Sequence, residues 1–118
     1  MIDFCKLHGA GNDYVFIDCR SQSVPDPAAL AIRISDRHRG VGSDGLVLLQ
    51  NAEGADLRMR IFNADGTEAE MCGNAARCAA RYAWDCGWVN HEPLRLQTAA
   101  GLRLSLIHLR RFRRPTLC

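Results

Sequence analysis

The sequence predicts a single domain of the α+β class, in which β-strands surround one central helix. Its 118 residues are enough for one hydrophobic core and too few for two. Short segments typical of strands are interspersed with two segments typical of helices. The second of these helices consists almost entirely of small residues, which allow neighbouring strands to pack closely around it.

The chain begins with two predicted strands. Residues 2–8 (IDFCKLH) and 14–19 (YVFIDC) are rich in the β-branched, aromatic and other apolar side chains that favour strands. Residues 9–13 (GAGND) lie between them, and their glycines and short polar side chains favour a turn. We therefore expect a strand, a turn and a second strand.

Residues 25–40 predict the first helix, because Asp26 can cap its N-terminus, Pro27 fits its first turn and Gly40 can end it. The next stretch, GVGSDG at 40–45, matches the G-x-G-x-x-G pattern of dinucleotide-binding loops. That pattern requires a strand before it and a helix after it. Here the order is reversed, so we expect a tight helix-to-strand turn and no nicotinamide or flavin site.

Four further strands are expected in the remainder of the chain. The apolar segment 46–50 predicts a short buried strand, and the alternating segment 57–62 predicts a strand with one apolar face. Residues 94–98 and 102–106 predict a β-hairpin around the turn residues 99–101. The apolar face of the segment 57–62 consists of Leu57, Met59 and Ile61.

The second helix is predicted from about Asn74 to Cys86, and Gly87 is expected to end it. Small residues cover nearly every face of this helix. Its charged residues are Arg77, Arg81 and Asp85. Because a helix that is apolar almost all round is usually enclosed by other elements, we expect strands to wrap closely around it.

The six cysteines predict neither a disulfide framework nor a metal site. No secretory signal pattern precedes them, and thiols stay reduced in the cytosol. Cys72, Cys78 and Cys86 are separated by five and seven residues, and the chain has no C-x-x-C pair, which a zinc finger or ribbon needs. No apolar run is long enough to cross a bilayer. We therefore expect a cytoplasmic protein without metal or membrane.

The net charge of +2 is unevenly distributed. Residues 1–109 hold 11 basic and 13 acidic side chains, whereas residues 110–118 add four arginines and no acid. An arginine-rich tail can bind nucleic acid, but only Phe112 is available there to stack on bases, and the preceding body is slightly acidic. We expect no nucleic-acid partner.

Cys72 lies directly before the small-residue helix, at a position that favours a reactive thiol and a bound anion. The first amides of a helix lack internal partners, and the macrodipole adds positive potential there. Such an end can hold a carboxylate, and it lowers the pKa of a nearby thiol. Cys72 could therefore act as a base beside an anion site formed with Gly73 and Asn74. A buried cysteine at a tight turn is the alternative that stays open.

Four stretches of the chain closely resemble the N-terminal half of diaminopimelate epimerase, in the family's order and with its spacing. They are FCKLHGAGNDYVFID, RHRGVGSDGLVLL, MRIFNADGTEAEMCGNAARCAARY and LQTAAG, within residues 4 to about 104. The block that contains Cys72 is the most specific, and the H-G-x-G-N-D segment supports it independently. The chain departs from the family at Ala75, where glycine is common.

The resemblance implies a fold of two similar halves, each a barrel-like sheet around a central helix, with the active site between them. It implies a cofactor-independent epimerase that interconverts LL- and meso-diaminopimelate, for lysine and peptidoglycan precursors, with one cysteine as base and another as acid. By motif position Cys72 is catalytic, and Asn12, Asn63, Gly73 and Asn74 bind the substrate. For Asn12 and Asn63 a turn-forming role also stays open.

The resemblance covers only the first half of the family's fold. We expect residues 1–106 to form this domain and residues 107–118 to be an atypical tail. That tail is either out-of-frame sequence of a truncated product or part of a deliberate short form. Because no second cysteine motif follows, we expect the chain to be inactive alone unless two copies pair as a homodimer. A non-catalytic amino-acid-binding or interaction module is the alternative function.

Overall fold

The computed structural model describes residues 3–9 and 12–105, and this part of the chain contains seven strands and two helices. In chain order they are β1 (Cys5–Gly9), β2 (Asn12–Asp18), α1 (Pro27–Ser35), β3 (Gly45–Gln50), β4 (Leu57–Asn63), β5 (Glu68–Ala69), α2 (Gly73–Asp85), β6 (Leu94–Thr98) and β7 (Gly101–Ser105). The end of the predicted hairpin at Leu106 and the tail at 107–118 lie outside the described residues. The boundary between domain and tail therefore stays a prediction.

The strands form one mixed sheet in the order β1-β2-β3-β4-β6-β7, and the short β5 pairs with β4. The pairs β1–β2, β3–β4 and β6–β7 are antiparallel, whereas β2–β3 and β4–β6 are parallel. Parallel neighbours cannot be joined by a tight hairpin and need a crossover. In this chain α1 lies in the first crossover and α2 in the second.

The two helices cover opposite faces of the sheet. The larger core packs between the sheet and α2, and a smaller one between the sheet and α1. Helix α2 contacts β1 and β7, the two end strands of the sheet, as well as the central β4. One helix can contact both ends only if the sheet curves around it. The predicted α+β fold, with a barrel-like sheet around a helix of small residues, is confirmed.

Helix α2 is less evenly enclosed than its composition predicts. Its five fully buried residues share one face and are Ala75, Ala76, Ala79, Ala80 and Ala83. The other face is half-buried or exposed, so the sheet covers α2 as a trough and leaves one side partly open. The helix ends as predicted, because Gly87 adopts the left-handed φ of 78° that favours glycine. The methyl group of Ala75 fills the core.

Helix α1 begins where the sequence predicts and ends earlier. The Asp26 carboxylate accepts a hydrogen bond from the backbone amide of Ala29, and Pro27 is the first helical residue. The predicted end at Gly40 is wrong, because the helix stops at Ser35. The Asp36 carboxylate then stabilises a separate turn, because it accepts hydrogen bonds from the backbone amides of His38 and Arg39.

The remaining strand predictions differ from the structure mainly at the first turn. Strand β2 begins at Asn12, two residues before the predicted start, and Asn12 pairs with Gly9 of β1. The segment 40–45 is a connection into β3, with a left-handed φ of 79° at Gly42, as the reversed motif predicts. The predicted apolar face of β4 is confirmed, since its three residues are buried against α2.

Candidate active site

The N-terminus of α2 is the centre of the candidate site, and Cys72 is its N-cap residue. The backbone of Cys72 is extended, with φ −143° and ψ 118°, and its carbonyl accepts the first helical hydrogen bond from Ala76 at 2.9 Å. The Cys72 side chain makes no capping hydrogen bond. The sulfur is therefore not used to satisfy the first amides of the helix. Within residues 3–9 and 12–105, those amides stay available to an anionic ligand.

Tyr14 is the side chain that approaches the sulfur of Cys72. Its hydroxyl oxygen lies 3.2 Å from Cys72 Sγ, although the two residues are 58 positions apart in the chain. The ring of Tyr14 is buried in the larger core, where only 7% of the residue is exposed. A buried aromatic residue of β2 thus carries its polar end to the N-terminus of α2.

Gly45 makes this approach possible. The register places Gly45 of β3 beside Tyr14 of β2. A Cβ atom at Gly45 would lie 3.3 Å from Cε1 of Tyr14 and 2.4 Å from the carbonyl oxygen of Phe62. The last glycine of the GVGSDG stretch is therefore required mainly by the Phe62 carbonyl oxygen, and its missing side chain also leaves room for the Tyr14 ring.

Asn12 and Asn74 meet at the same end of α2. The Asn74 Nδ2 group donates a hydrogen bond of 2.8 Å to Asn12 Oδ1, and the Arg77 guanidinium donates to Asn74 Oδ1. These bonds fix the orientation of both amides. Because the Asn12 oxygen accepts from Asn74, its NH₂ group is the part of Asn12 that can donate to a ligand.

Gly73 lies on the exposed side of the helix start. It has no left-handed φ, and a Cβ there would meet only the Arg77 side chain, at 3.9 Å. Neither the backbone nor the packing of the described residues therefore requires glycine at this position. The missing side chain leaves open space beside the first helical amides, next to a cleft of about 360 Å³ to which Arg77 and Arg103 contribute positive charge.

Asn63 is the one predicted site residue without a described contact to this cluster. It ends β4 and is paired with Gly45, in the same row of the sheet as Tyr14. Its Nδ2 group donates to Thr67 Oγ1 at 3.1 Å, and its backbone amide donates to the Thr67 carbonyl. Asn63 thus stabilises a turn, as the alternative interpretation of this residue predicts, at the same edge of the sheet as the site.

An ion cluster on the opposite face of β2 holds this edge in place. Asp13 accepts from Lys6 at 3.0 Å and from Arg37 at 3.4 Å, and its backbone amide donates to the Asp44 carboxylate. Partial burial raises the pKa of Asp13, but its hydrogen bonds with Lys6 and Asp44 and the charge of Lys6 outweigh this and hold the pKa at about 2. The cluster joins the start of β2 to the loop before β3.

Burial changes the ionisation of Tyr14 and of two thiols other than Cys72. Burial, together with the hydrogen bond with Cys72, raises the pKa of Tyr14, so its hydroxyl stays protonated and remains a donor. Burial also raises the pKa of the Cys78 and Cys19 thiols and makes their thiolates scarcer at neutral pH. Cys78 is half-buried and packs against the larger core.

Two negative findings hold for the described part of the chain. Residues 3–9 and 12–105 contain no group of three His, Cys, Asp or Glu side chains that could hold a metal ion. Among the same residues, neither helix has the length and apolar character needed to span a membrane.

Sequence reasoning missed two residues of the site. The sequence identifies Tyr14 only as part of an apolar strand, and nothing local indicates that its hydroxyl meets Cys72. It identifies Arg77 only as a charged residue on the helix. Its position three residues after Asn74 places both side chains on one helix face, which is the signal that could have identified it.

The fold is shared with a known amino-acid epimerase. The crystal structure of a hydroxyproline epimerase from Agrobacterium vitis, with bound trans-4-hydroxy-L-proline, superposes with a TM-score of 0.64 at 21% sequence identity. The match covers 84% of this chain and 35% of that protein. This likeness establishes the class of fold that surrounds the site.

The sequence identifies the family within that class. A profile of diaminopimelate epimerase matches residues 4–110. The chain is 50% identical over 101 residues to the diaminopimelate epimerase of Acetivibrio thermocellus and 56% identical over 102 residues to that of Desulforudis audaxviator. Each match covers 86% of this chain, and they cover 36% and 37% of those two relatives. The chain belongs to the diaminopimelate epimerase family and spans a little over a third of the length of these curated relatives.

Proposed function

We propose that this chain is the cysteine-bearing N-terminal part of a diaminopimelate epimerase, which binds diaminopimelate and transfers its α-proton through Cys72. The observation that carries the proposal is the convergence at one helix end of an uncapped set of amides, the Cys72 sulfur and two oriented asparagine amides. Membership in the family supplies the substrate. The alternative of a non-catalytic module finds no support among the relatives reported above.

The site residues have different roles in the proposed proton transfer. The backbone amides of Gly73 and Asn74 would donate to the α-carboxylate, where the helix dipole also favours negative charge. As the proton leaves the α-carbon, negative charge develops next to that carboxylate, and the same amides stabilise it more strongly than the ground state. The Cys72 thiolate would take the proton on one face of the carbon, and its thiol would return one.

The two asparagines would orient the substrate. We propose that the Asn12 NH₂ group donates to a ligand placed over the start of α2, since its oxygen already accepts from Asn74. For Asn63 we propose a contact with a more distant part of the substrate, because it lies along the same sheet edge without meeting the Cys72 cluster. The hydrogen bond from Asn63 to Thr67 fixes the orientation of the Asn63 side chain.

Inversion of the α-carbon needs a second proton-transfer group on the opposite face. We propose that this group is a cysteine supplied from outside the 118 residues, or the Cys72 of a second copy in a homodimer. We also propose the cytoplasm as the compartment, because the reaction requires reduced thiols, which the cytosol maintains. The product would enter lysine and peptidoglycan precursor synthesis.

Exchange of the α-proton in deuterated water tests the proposal. One base on one face can remove a proton and return a deuteron without inversion, so we expect slow deuterium incorporation into LL-diaminopimelate by the 118-residue chain. Cys72→Ala should abolish it. Cys78→Ala is the matched control and should retain it, since Cys78 packs against the core. Incorporation no faster than with Cys72→Ala would contradict the proposal.

A further inference from the structure

Tyr14 occupies a position where a phenylalanine would fill the core equally well. Its ring packs edge-on against Phe16, two residues further along the same face of β2, with the ring centres 6.4 Å apart and an interplanar angle of 84°. The packing therefore uses the aromatic ring and leaves the hydroxyl without a role in the core. The partner of that hydroxyl is the sulfur of Cys72, at 3.2 Å.

The position of the Tyr14 hydroxyl is fixed from several sides. The ring lies in the larger core with 7% of the residue exposed, and Phe16 restricts its rotation. Gly45 provides the space beneath the ring, because a Cβ there would lie 3.3 Å from its Cε1 atom. A rigid donor loses little conformational entropy when it forms a hydrogen bond, so the contact with Cys72 is preorganised.

The strength of the hydrogen bond from Tyr14 differs between the thiol and the thiolate form of Cys72. A thiol is a weak donor and a weak acceptor, whereas a thiolate is a charged acceptor with no proton to donate. Hydrogen bonds to a charged partner are roughly twice as strong as neutral ones. A hydroxyl that stays protonated and lies 3.2 Å from the sulfur can donate to a thiolate, and a donor in this position favours the thiolate over the thiol.

Other groups face the same pair. Cys78 and Arg77 approach from α2, the Asp44 carboxylate acts on Tyr14 from the loop before β3, and Arg103 of β7 lines the cleft beside Gly73. The two arginines carry positive charge and Asp44 carries negative charge. These charges act through space and at partly exposed positions. Among the described residues, it is Tyr14 whose hydroxyl lies within hydrogen-bond distance of the sulfur.

We propose that Tyr14 is a positioning residue for the proposed proton transfer: its hydroxyl holds Cys72 Sγ at the N-terminus of α2 and stabilises the thiolate. This inference rests on the proposed function in one respect, namely that the Cys72 thiolate transfers the α-proton of the substrate. The contact itself and its effect on sulfur ionisation are independent of any substrate.

The test compares Tyr14→Phe with Tyr82→Phe in the 118-residue chain. Tyr82 is a matched control, because its hydroxyl also donates to a fixed partner, Asp18 Oδ2 at 3.0 Å, near the other end of α2. The rate of Cys72 alkylation by iodoacetamide is measured across pH by mass spectrometry, and thermal melts confirm folding. We expect the midpoint of the pH profile to rise by roughly one pH unit in Tyr14→Phe and to stay unchanged in Tyr82→Phe.

Replacing Tyr14 by 3-fluorotyrosine keeps the ring and the hydroxyl but makes the hydroxyl a stronger donor. We expect the midpoint of Cys72 alkylation to fall below that of the unmodified chain. A midpoint unchanged in both Tyr14 variants, or equal shifts in Tyr14→Phe and Tyr82→Phe, would overturn the proposal. Because no diaminopimelate is present in this experiment, its failure is distinguishable from failure of the proposed function.

Discussion

At the scale of single residues, two glycines at the site have opposite reasons to be glycine. A Cβ at Gly45 would collide with the Phe62 carbonyl oxygen at 2.4 Å and press on the Tyr14 ring, so the fold itself requires glycine there. Gly73 has open space and an ordinary backbone, so the described residues do not require it. The sequence shows both as glycines next to other motif residues, and only the surroundings separate the structural one from the one available to a ligand.

Alanine substitutions should separate these two roles. Gly73→Ala should leave the free energy of unfolding within about 1 kcal/mol of the parent, because alanine costs no strain at an open helical position. It should weaken the binding of diaminopimelate by about tenfold or more, since the methyl group occupies the proposed carboxylate position. Urea unfolding and titration calorimetry measure the two effects.

The matched variant Gly45→Ala should behave in the opposite way. Its methyl group has no room between β3 and β4, so unfolding should become easier by about 1–3 kcal/mol. If Gly73→Ala destabilised the fold as much as Gly45→Ala, the open space at the start of α2 would not be a ligand site.

Asp13 gives the fold a pH dependence whose sign follows from its lowered pKa. The carboxyl has a pKa of about 2 in the folded chain and 3.8 as its ordinary value. Its contribution is therefore fully present above about pH 4 and is lost as the pH falls through about 2. We expect Asp13→Asn to be less stable than the parent at pH 7 by about 1 kcal/mol, because solvent screens this cluster near the surface. Urea unfolding at a series of pH values should show this difference shrinking between about pH 4 and pH 2, and a constant difference would contradict the argument.

At the scale of elements, the burial of α2 differs from what its amino-acid composition predicts. Counting small residues suggests a helix enclosed on every side, but its buried alanines recur at helical spacing on a single face. The residues between them, Arg77 and Arg81 among them, lie outside that face. The end of α1 was missed for a related reason. Asp36 starts a turn of its own, and such side-chain bonds to the backbone compete with a continuing helix.

Bulk on the buried face of α2 should destabilise the fold. Ala79 is completely buried beneath the sheet, so Ala79→Leu forces extra methylene groups into a packed core. We expect a loss of about 1–3 kcal/mol, seen as a lower melting temperature. Ala64→Leu, in the exposed turn after β4, is the control and should be nearly neutral. Equal melting temperatures for both variants would mean that α2 does not pack against the sheet as described.

At the scale of the whole molecule, every described strand except the two-residue β5 was predictable, and strand neighbours were not. Alternation and apolar runs identify β3, β4 and the final hairpin with small errors at their ends. The parallel pairs β2–β3 and β4–β6 join segments that are distant in the chain, and no local pattern specifies them. The meeting of Tyr14 with Cys72 depends on that topology. This is why the sequence predicts a reactive site at the N-terminus of α2 but does not predict that the Tyr14 hydroxyl lies next to it.

Inversion by a polypeptide of these 118 residues should be undetectable. The described residues bring one cysteine to the N-terminus of α2, and inversion requires an acid and a base on opposite faces. Loss of one member of such a pair costs a factor of about 10²–10⁴ before lost substrate contacts and water exclusion are counted. A coupled assay for LL-to-meso conversion measures this. Turnover that disappears in Cys72→Ala and rises with the square of the chain concentration would instead establish the homodimer.

We propose Cys72, at the N-terminus of α2, as the reactive group of a carboxylate-binding site. Brief iodoacetamide treatment at neutral pH, followed by mass-spectrometric mapping of every cysteine, tests it most directly, with and without diaminopimelate. We expect Cys72 to be alkylated fastest and diaminopimelate to slow its reaction alone, leaving exposed Cys86 and half-buried Cys19 unchanged. Faster alkylation of Cys5, Cys19 or Cys86, or a Cys72 rate that diaminopimelate does not alter, would contradict the account.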